Sequence, residues 1–260
     1  MATPGTLSIR NVSKRYDVEG RDPLQVLTDV NFDVEPGSFV SIVGPSGCGK
    51  STILRLIAGL DPDYKGSIQQ GAVPITGTSL SRGIVFQDHR LLPWLTLQQN
   101  IELALLNSRW TAHQKAKAIR EHIELVGLAG FETAFPHQLS GGMAQRAAIA
   151  RGLVSQPEIL LLDEPLGALD ALTRIRLQEE LLRIWRAEGV TMILVTHDVD
   201  EAIYLSDRIF VMNSQPGRIV RDVKVPLPRV RDRASAAFTA IKREVLAAMG
   251  EYENQLEVAA

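Results

Sequence analysis

Gly44-Pro45-Ser46-Gly47-Cys48-Gly49-Lys50-Ser51 lies between a short apolar run, Phe39 to Val43, and an apolar helical stretch, Ile53 to Leu60. It fits G-x-x-x-x-G-K-[ST], a pattern expected by chance in about one chain in a hundred of this length. The strand before it and the helix after it supply the setting the pattern requires. Glycines let the backbone curl until successive N–H groups face one concavity, and a helix N-terminus adds positive potential. Such a loop suits phosphate. Lys50 is then placed for the β- and γ-phosphates of a nucleotide, and Ser51 for Mg²⁺.

Working outward, Ile159-Leu160-Leu161-Leu162 reads as a second buried strand. Asp163 and Glu164 leave it at the carboxyl edge, where α/β sheets bind ligands. Neighbouring strand residues point to different faces, so one carboxylate serves a metal and the other a water. Asp163 is the Mg²⁺ candidate and Glu164 the general base. Met192 to Val195 and Ile209 to Met212 read as further parallel strands, with His197 following the first. Leu177, Leu181, Ile184 and Trp185 form the apolar face of a helix.

Upstream, Leu7, Ile9 and Val12, then Val30, Phe32 and Val34, predict antiparallel strands before the turn pair Pro36-Gly37. Helical periodicity dominates from Gln98 to Val154. The fold class is therefore α/β. Residues 1–87 and 157–225 form the core with an antiparallel β subdomain, residues 88–156 an inserted helical subdomain, and residues 226–260 an extension. Pro226 and Pro228 end the core, and Ala234 to Met249 is expected to be helical.

The composition narrows the function classes. The 260 residues carry a formal net charge of −2, which gives no basic footprint for nucleic acid. A lone cysteine excludes an internal disulfide. No apolar run approaches the roughly 18 residues of a spanning helix, and Met1 to Gly5 lacks the charged-then-apolar pattern of a leader. The expectation is a cytoplasmic chain that reaches a membrane only by recruitment.

Leu139-Ser140-Gly141-Gly142-Met143 supplies a second phosphate-binding device, since Ser140 suits a helix N-cap and the glycines bare the backbone. One nucleotide does not need both. With this motif the sequence resembles the ATP-binding subunits of ABC transporters along essentially its whole length. The resemblance rests on Tyr16, Gly44 to Thr52, Gln87, Leu139 to Met143, Ile159 to Glu164, Ala168-Leu169-Asp170 and His197. It implies a RecA-like P-loop NTPase core with the signature motif in the helical subdomain.

The resemblance also implies roles. ATP is held by Gly44, Pro45, Ser46, Gly47, Cys48, Gly49, Lys50, Ser51 and Thr52, with Tyr16 stacked on adenine. Ser140, Gly141, Gly142 and Asp170 meet the ATP of a second subunit. Mg²⁺ falls to Ser51, Gln87 and Asp163, and hydrolysis to Glu164, His197 and Gln87. Met143 stands where the family more often has glutamine, sparing the groups that touch phosphate. The partners implied are a second ATPase subunit, two copies of a polytopic permease, and indirectly a periplasmic or lipid-anchored solute-binding protein. No nucleic acid is among them, and the location is the cytoplasmic face of the inner membrane.

Leu91-Leu92-Pro93-Trp94, Glu164 to Arg174 and Pro216 to Ile219 are similar to the branch that imports sulfonates, taurine and nitrate. Phe86-Gln87-Asp88 with Arg90 to Trp94 is most similar to its aliphatic sulfonate members. Rival classes are a soluble ABC ATPase acting on nucleic acid or ribosomes, and a P-loop GTPase or kinase, which leaves the signature motif unexplained. Several residues also have plainer readings. His197 is then a satisfied polar side chain, Tyr16 strand packing, and Leu92 and Trp94 core under the insertion rather than a groove for the permease. Arg229, Arg231 and Arg233 read as a solvated basic segment, with an approach to lipid headgroups as the alternative. Cys48, beside a helix N-terminus and Lys50, is expected to be a reactive thiolate rather than an inert filler.

Overall fold

The computed structural model describes residues 5–250 apart from Val18, Arg21 and Gln215. The leader reading of Met1 to Pro4 and the end of the C-terminal extension, residues 251–260, lie outside the described residues. The chain divides into two compact units, Met1–Thr78 with Ile193–Ala260, and Ser79–Met192.

In the first unit, β1 (Leu7–Tyr16) pairs antiparallel with β2 (Leu24–Val34), setting Leu7 opposite Val34 and Ile9 opposite Phe32. The step from Ile9 to Val12 breaks the period of two, and the chain corrects it with a bulge at Asn11, whose φ is 51°. Asparagine tolerates that conformation, and its side chain donates to Asp29 Oδ1 at 2.8 Å. Beyond β1 lie β4 (Lys65–Gln70) and β5 (Val73–Pro74), in the order β2-β1-β4-β5.

The other strands of this unit run β10-β9-β3-β8. β3 (Phe39–Val43) is buried throughout and lies parallel to β9 (Arg208–Asn213). β8 (Thr191–Thr196) is equally buried, whereas β10 (Arg218–Lys224) closes the edge antiparallel to β9. α1 (Lys50–Ala58) follows β3, and α6 (Val199–Leu205) follows β8. The Phe32 and Phe210 rings, centroids 4.7 Å apart, pack β2 on β9.

In the C-terminal extension α7 (Ala236–Ala248) packs on α6, and the expected solvated segment proves otherwise. Arg231 is 5% exposed. Its Nη1 donates to the carbonyls of Ile203, Tyr204 and Ser206, and its Nε to that of Leu227. The last carbonyls of α6 have no partner within the helix and carry its negative dipole end, so a guanidinium satisfies both at once. Burial, with Arg229 beside it, pushes the Arg231 pKa down to about 10. Arg229 pairs with Asp207 at 2.8 Å, and the Arg233 guanidinium lies over the Tyr204 ring.

In the second unit, β6 (Arg82–Val85) and β7 (Ile159–Asp163) are parallel neighbours. The helices are α2 (Leu97–Glu102), α3 (Ala112–Leu125), α4 (Gly141–Leu153) and α5 (Ala171–Glu188). Thr96 and Thr111 start α2 and α3 with capping boxes completed by Gln99 and Gln114. α4 is rich in alanine and lies tight on β6. A Cβ added at Gly83 would stand 2.3 Å from the Gly152 carbonyl oxygen, so only glycine permits that approach.

Removing the Arg231 side chain strands several buried carbonyls. Arg231→Ala is expected to lose about 3 kcal/mol of unfolding free energy in urea titrations, and Arg233→Ala less than about 1 kcal/mol. Equal losses would mean that Arg231 is no more than surface charge.

Candidate nucleotide site

The phosphate loop ends at Gly49, which caps α1 with φ 100° and no side-chain bond. Only glycine takes that conformation readily, and a Cβ there would meet Leu27 Cδ2 at 2.6 Å. No acidic residue stands in the first turn of α1, so no carboxylate of its own offsets the positive end of its dipole. Lys50 is buried, with Nζ donating to the carbonyls of Gly44 at 2.8 Å and Pro45 at 3.1 Å. Ser46 and Gly47 are exposed, and Pro45, Ser51 and Thr52 half-buried.

Tyr16 ends β1 and is half-buried. Its hydroxyl donates to Asp61 Oδ2 at 3.0 Å, and the Lys14 ammonium lies 4.7 Å from the ring centroid. Burial pushes the phenol pKa up, and the Asp61 carboxylate adds to the shift. Beside the ring opens a cavity of about 680 Å³ lined by Arg15, Gln25, Tyr64 and Lys65 among others. His197 is exposed at the end of β8, directly before α6. The backbone around it is fixed locally. Asp198 caps α6 by accepting from Glu201 N–H, and buried Thr196 Oγ1 donates to Glu201 Oε2 at 2.5 Å.

In the second unit, Asp163 ends β7 and Glu164 follows it, both half-buried. Glu164 has φ 45°, a left-handed conformation rare for glutamate, and its carbonyl accepts from Gly167 N–H. A methyl placed on Gly167 would stand 3.5 Å from Gln87 Nε2 and 3.9 Å from Glu164 Oε2. Gln87 and Glu164 thus converge on one spot, although 77 positions separate them in the sequence. Ser140 caps α4 by accepting from Met143 N–H, leaving Gly141 exposed. Asp170 caps α5 through Thr173 N–H, and the bonds from Thr173 hold its carboxyl below the usual range.

The segment after Gln87 is a stapled loop rather than core. Buried Asn100 accepts from Leu92 N–H at 2.7 Å, and its amide donates to the carbonyls of Leu92, Leu95 and Thr96. That closure leaves Trp94 69% exposed. Nearby an open groove of about 400 Å³ is lined by Phe86, Leu92, Leu103, Ala104, Arg151 and Gly152 among others. Sequence reading missed Asn100 and Arg151, because one polar residue in a helical repeat carries no signal of what it bonds.

Cys48 corrects an expectation. Its accessible surface is 0%, and its Sγ lies 2.9 Å from where a Cβ on Gly44 would be. The thiol fills space beneath the loop, where a reagent cannot approach.

Residues 27–167 match the family model described as ABC transporter. An aliphatic sulfonates import ATP-binding protein of Bacillus cereus is 50% identical over 93% of this chain and 94% of its own length. Its counterpart in Bacillus subtilis is 46% identical over 96% and 95%. Among solved structures, the dimeric post-hydrolysis ATP-binding cassette MJ0796 bound to ADP and Pi is 33% identical, with a TM-score of 0.74, over 85% of this chain and 100% of that one. CbiO1 from Clostridium perfringens, part of an ABC transporter complex, is 25% identical with a TM-score of 0.76 over 96% and 98%.

The buried thiol makes a clear expectation. In the folded protein Cys48 should react with N-ethylmaleimide at least about 100-fold more slowly than in guanidinium chloride. Fast native labelling, read by mass, would show that the loop opens readily.

Proposed function

The chain belongs to the ABC transporter family, and from that premise we propose that it binds and hydrolyses ATP to drive a membrane importer of aliphatic sulfonates. The observation that carries the hydrolytic reading is the convergence of Glu164 and Gln87 about Gly167. The likeness to curated sulfonate importers along nearly the whole chain supports the solute.

In this reading the N–H groups from Gly44 to Thr52 and the Lys50 ammonium bind the phosphates, and Tyr16 stacks on adenine. Mg²⁺ favours oxygen ligands and takes few from protein, the rest coming from phosphate and water. Ser51 hydroxyl, Asp163 carboxylate and the Gln87 amide oxygen suit it. Among the described residues no cluster of three or more His, Cys, Asp or Glu forms an all-protein metal site. The ion supplies charge neutralisation at the phosphate oxygens. Glu164 accepts the proton of the attacking water, and His197 donates a hydrogen bond to the γ-phosphate.

Ser140, Gly141, Gly142 and Asp170 act on the ATP of a second copy, which makes the working form a homodimer. Functionally, residues 1–87 with 157–225, 88–156 and 226–260 serve as nucleotide core, signature subdomain and extension. Among the described residues no helix is long and apolar enough to cross a membrane. The likeness to import ATP-binding proteins supports a working assembly with two polytopic permease subunits, fed by a solute-binding protein, with this chain on their cytoplasmic face. The groove beside Phe86 and Leu92, with Trp94 exposed near it, suits an apolar helix of the permease.

Glutamine at position 164 cannot take a proton, so Glu164→Gln is expected to lower kcat about 10²- to 10⁴-fold and to accumulate an ATP-loaded dimer on size exclusion. Lys50→Ala should instead lose ATP affinity in equilibrium titration. Near-wild-type turnover by Glu164→Gln would remove it as the base.

Trp94→Ala is expected to keep the ATPase rate and melting temperature of the isolated subunit while weakening co-purification with the permease at least about tenfold. A lowered melting temperature with unchanged assembly would make Trp94 a packing residue.

A further inference from the structure

The loop after Gln87 is held from one side by a single helix. Gln145 Nε2 donates to the Phe86 carbonyl at 3.4 Å. Arg151 Nη2 donates to the His89 carbonyl at 2.7 Å, and its Nη1 to the Arg90 carbonyl at 2.8 Å. Both side chains belong to α4, which begins at the signature motif. The loop is also tied to itself, because the Arg90 guanidinium lies 3.9 Å from the centroid of the Phe86 ring. Gln87 and Asp88 sit between those two fixed ends.

A guanidinium fork spanning two successive carbonyls fixes orientation as well as distance, which a single ammonium cannot do. Arg151 is half-buried, and burial pushes its pKa down with no carboxylate contributing. An arginine that gives up hydration for two backbone carbonyls is committed to that loop, since a surface role leaves it solvated. Arg90 adopts φ 47°, a conformation arginine avoids when free, so the loop is held away from its relaxed shape. The close contact of Gly83 with Gly152 locks α4 to β6, the strand that leads into Gln87. Arg151 also lines the groove beside Phe86 and Leu92.

We propose that Arg151 is a positioning residue for Gln87: its fork clamps the His89 and Arg90 carbonyls to the signature helix and so aims the Gln87 amide toward the spot shared with Glu164. The inference rests on the role assigned to Gln87 in hydrolysis. It places the aim of Gln87 under the control of the helix whose first turn carries Gly141 and Gly142. A shift of α4 then moves the loop as one piece.

The test uses full-length protein with Arg151→Lys, Gln87→Ala and the double variant. Arg151→Lys keeps the charge and most of the packing but loses the fork. Gln87→Ala and Arg151→Lys are each expected to lower kcat about tenfold with KM for ATP unchanged, and the double variant to fall no further. Hydrogen exchange of the amides in 87–92 should quicken at least about tenfold in Arg151→Lys while those in 141–153 keep their protection. Additive losses near a hundredfold, or unaltered exchange in 87–92, would overturn the clamp. Wild-type turnover by Arg151→Lys beside an impaired Gln87→Ala overturns it alone. Wild-type turnover by Gln87→Ala removes the role of Gln87 and the proposal with it.

Discussion

A loop that binds phosphate through its own N–H groups must stay open, because satisfying those groups internally would abolish the site. Everything around the turn from β3 to α1 answers to that constraint. β3 is buried throughout, so it cannot move without disturbing packing on both faces. The carbonyl of its first residue, Phe39, accepts from Asp207 N–H, and the Asp207 carboxylate accepts from Phe39 N–H. In its middle, Ser41 and Ser206 share a buried hydroxyl contact of 2.5 Å. At its end, Cys48 fills the space beneath the loop and Leu27 closes against Gly49. The turn is thus backed by the buried Cys48 thiol and the Leu27 side chain, and the strand leading into it by polar bonds at Phe39 and Ser41.

Carbonyls at helix ends and in tight loops pose the complementary problem, and this chain solves it with long polar side chains. Arg231 takes the end of α6, Asn100 the turn before α2, and Arg151 the loop after Gln87. Each makes several bonds from one side chain, so a single deletion leaves several acceptors stranded. The loops so treated lie next to His197, through α6, and Gln87, through its own loop. Loops need such support where their shape must be reproducible, because they lack the hydrogen-bond ladders of strands and helices.

The core was legible in the sequence because it obeys simple rules. Ile159 to Leu162 and Met192 to Val195 are continuous apolar runs, and Phe39 to Val43 is one broken only by Ser41; all three became buried strands. The starts of α1 and α4 read clearly because glycine and serine at a helix start carry a local signal, and Gly49 and Ser140 are their caps. β10 escaped notice because an edge strand with mostly exposed residues alternates weakly. Arg231 was misread because a basic segment looks alike whether it meets water or the carbonyls of a helix end. The reading of Cys48 erred similarly. Proximity to Lys50 in sequence says nothing about which way the thiol points, and here it points inward.

The left-handed residues show how strain is distributed. Asn11 and Asp29 have positive φ, but these are residue types that tolerate it, and they sit at a bulge between exposed strand positions. Glu164, Arg90 and Gln156 are different, since glutamate, arginine and glutamine lack the short polar side chain with which Asn or Asp bonds its own backbone. Each costs on the order of 1 kcal/mol and persists only when its surroundings over-determine it. For Glu164 the support is the Gly167 N–H on its carbonyl. For Arg90 it is the Arg151 fork on one side and the Phe86 ring on the other. An extended Glu164 would continue β7 and carry its carboxylate away from Gly167. A relaxed Arg90 would let the carbonyls held by α4 swing free, with Gln87 at their head. Of these three longer side chains, Glu164 and Arg90 lie beside Gln87 and its loop, whereas Gln156 follows the end of α4.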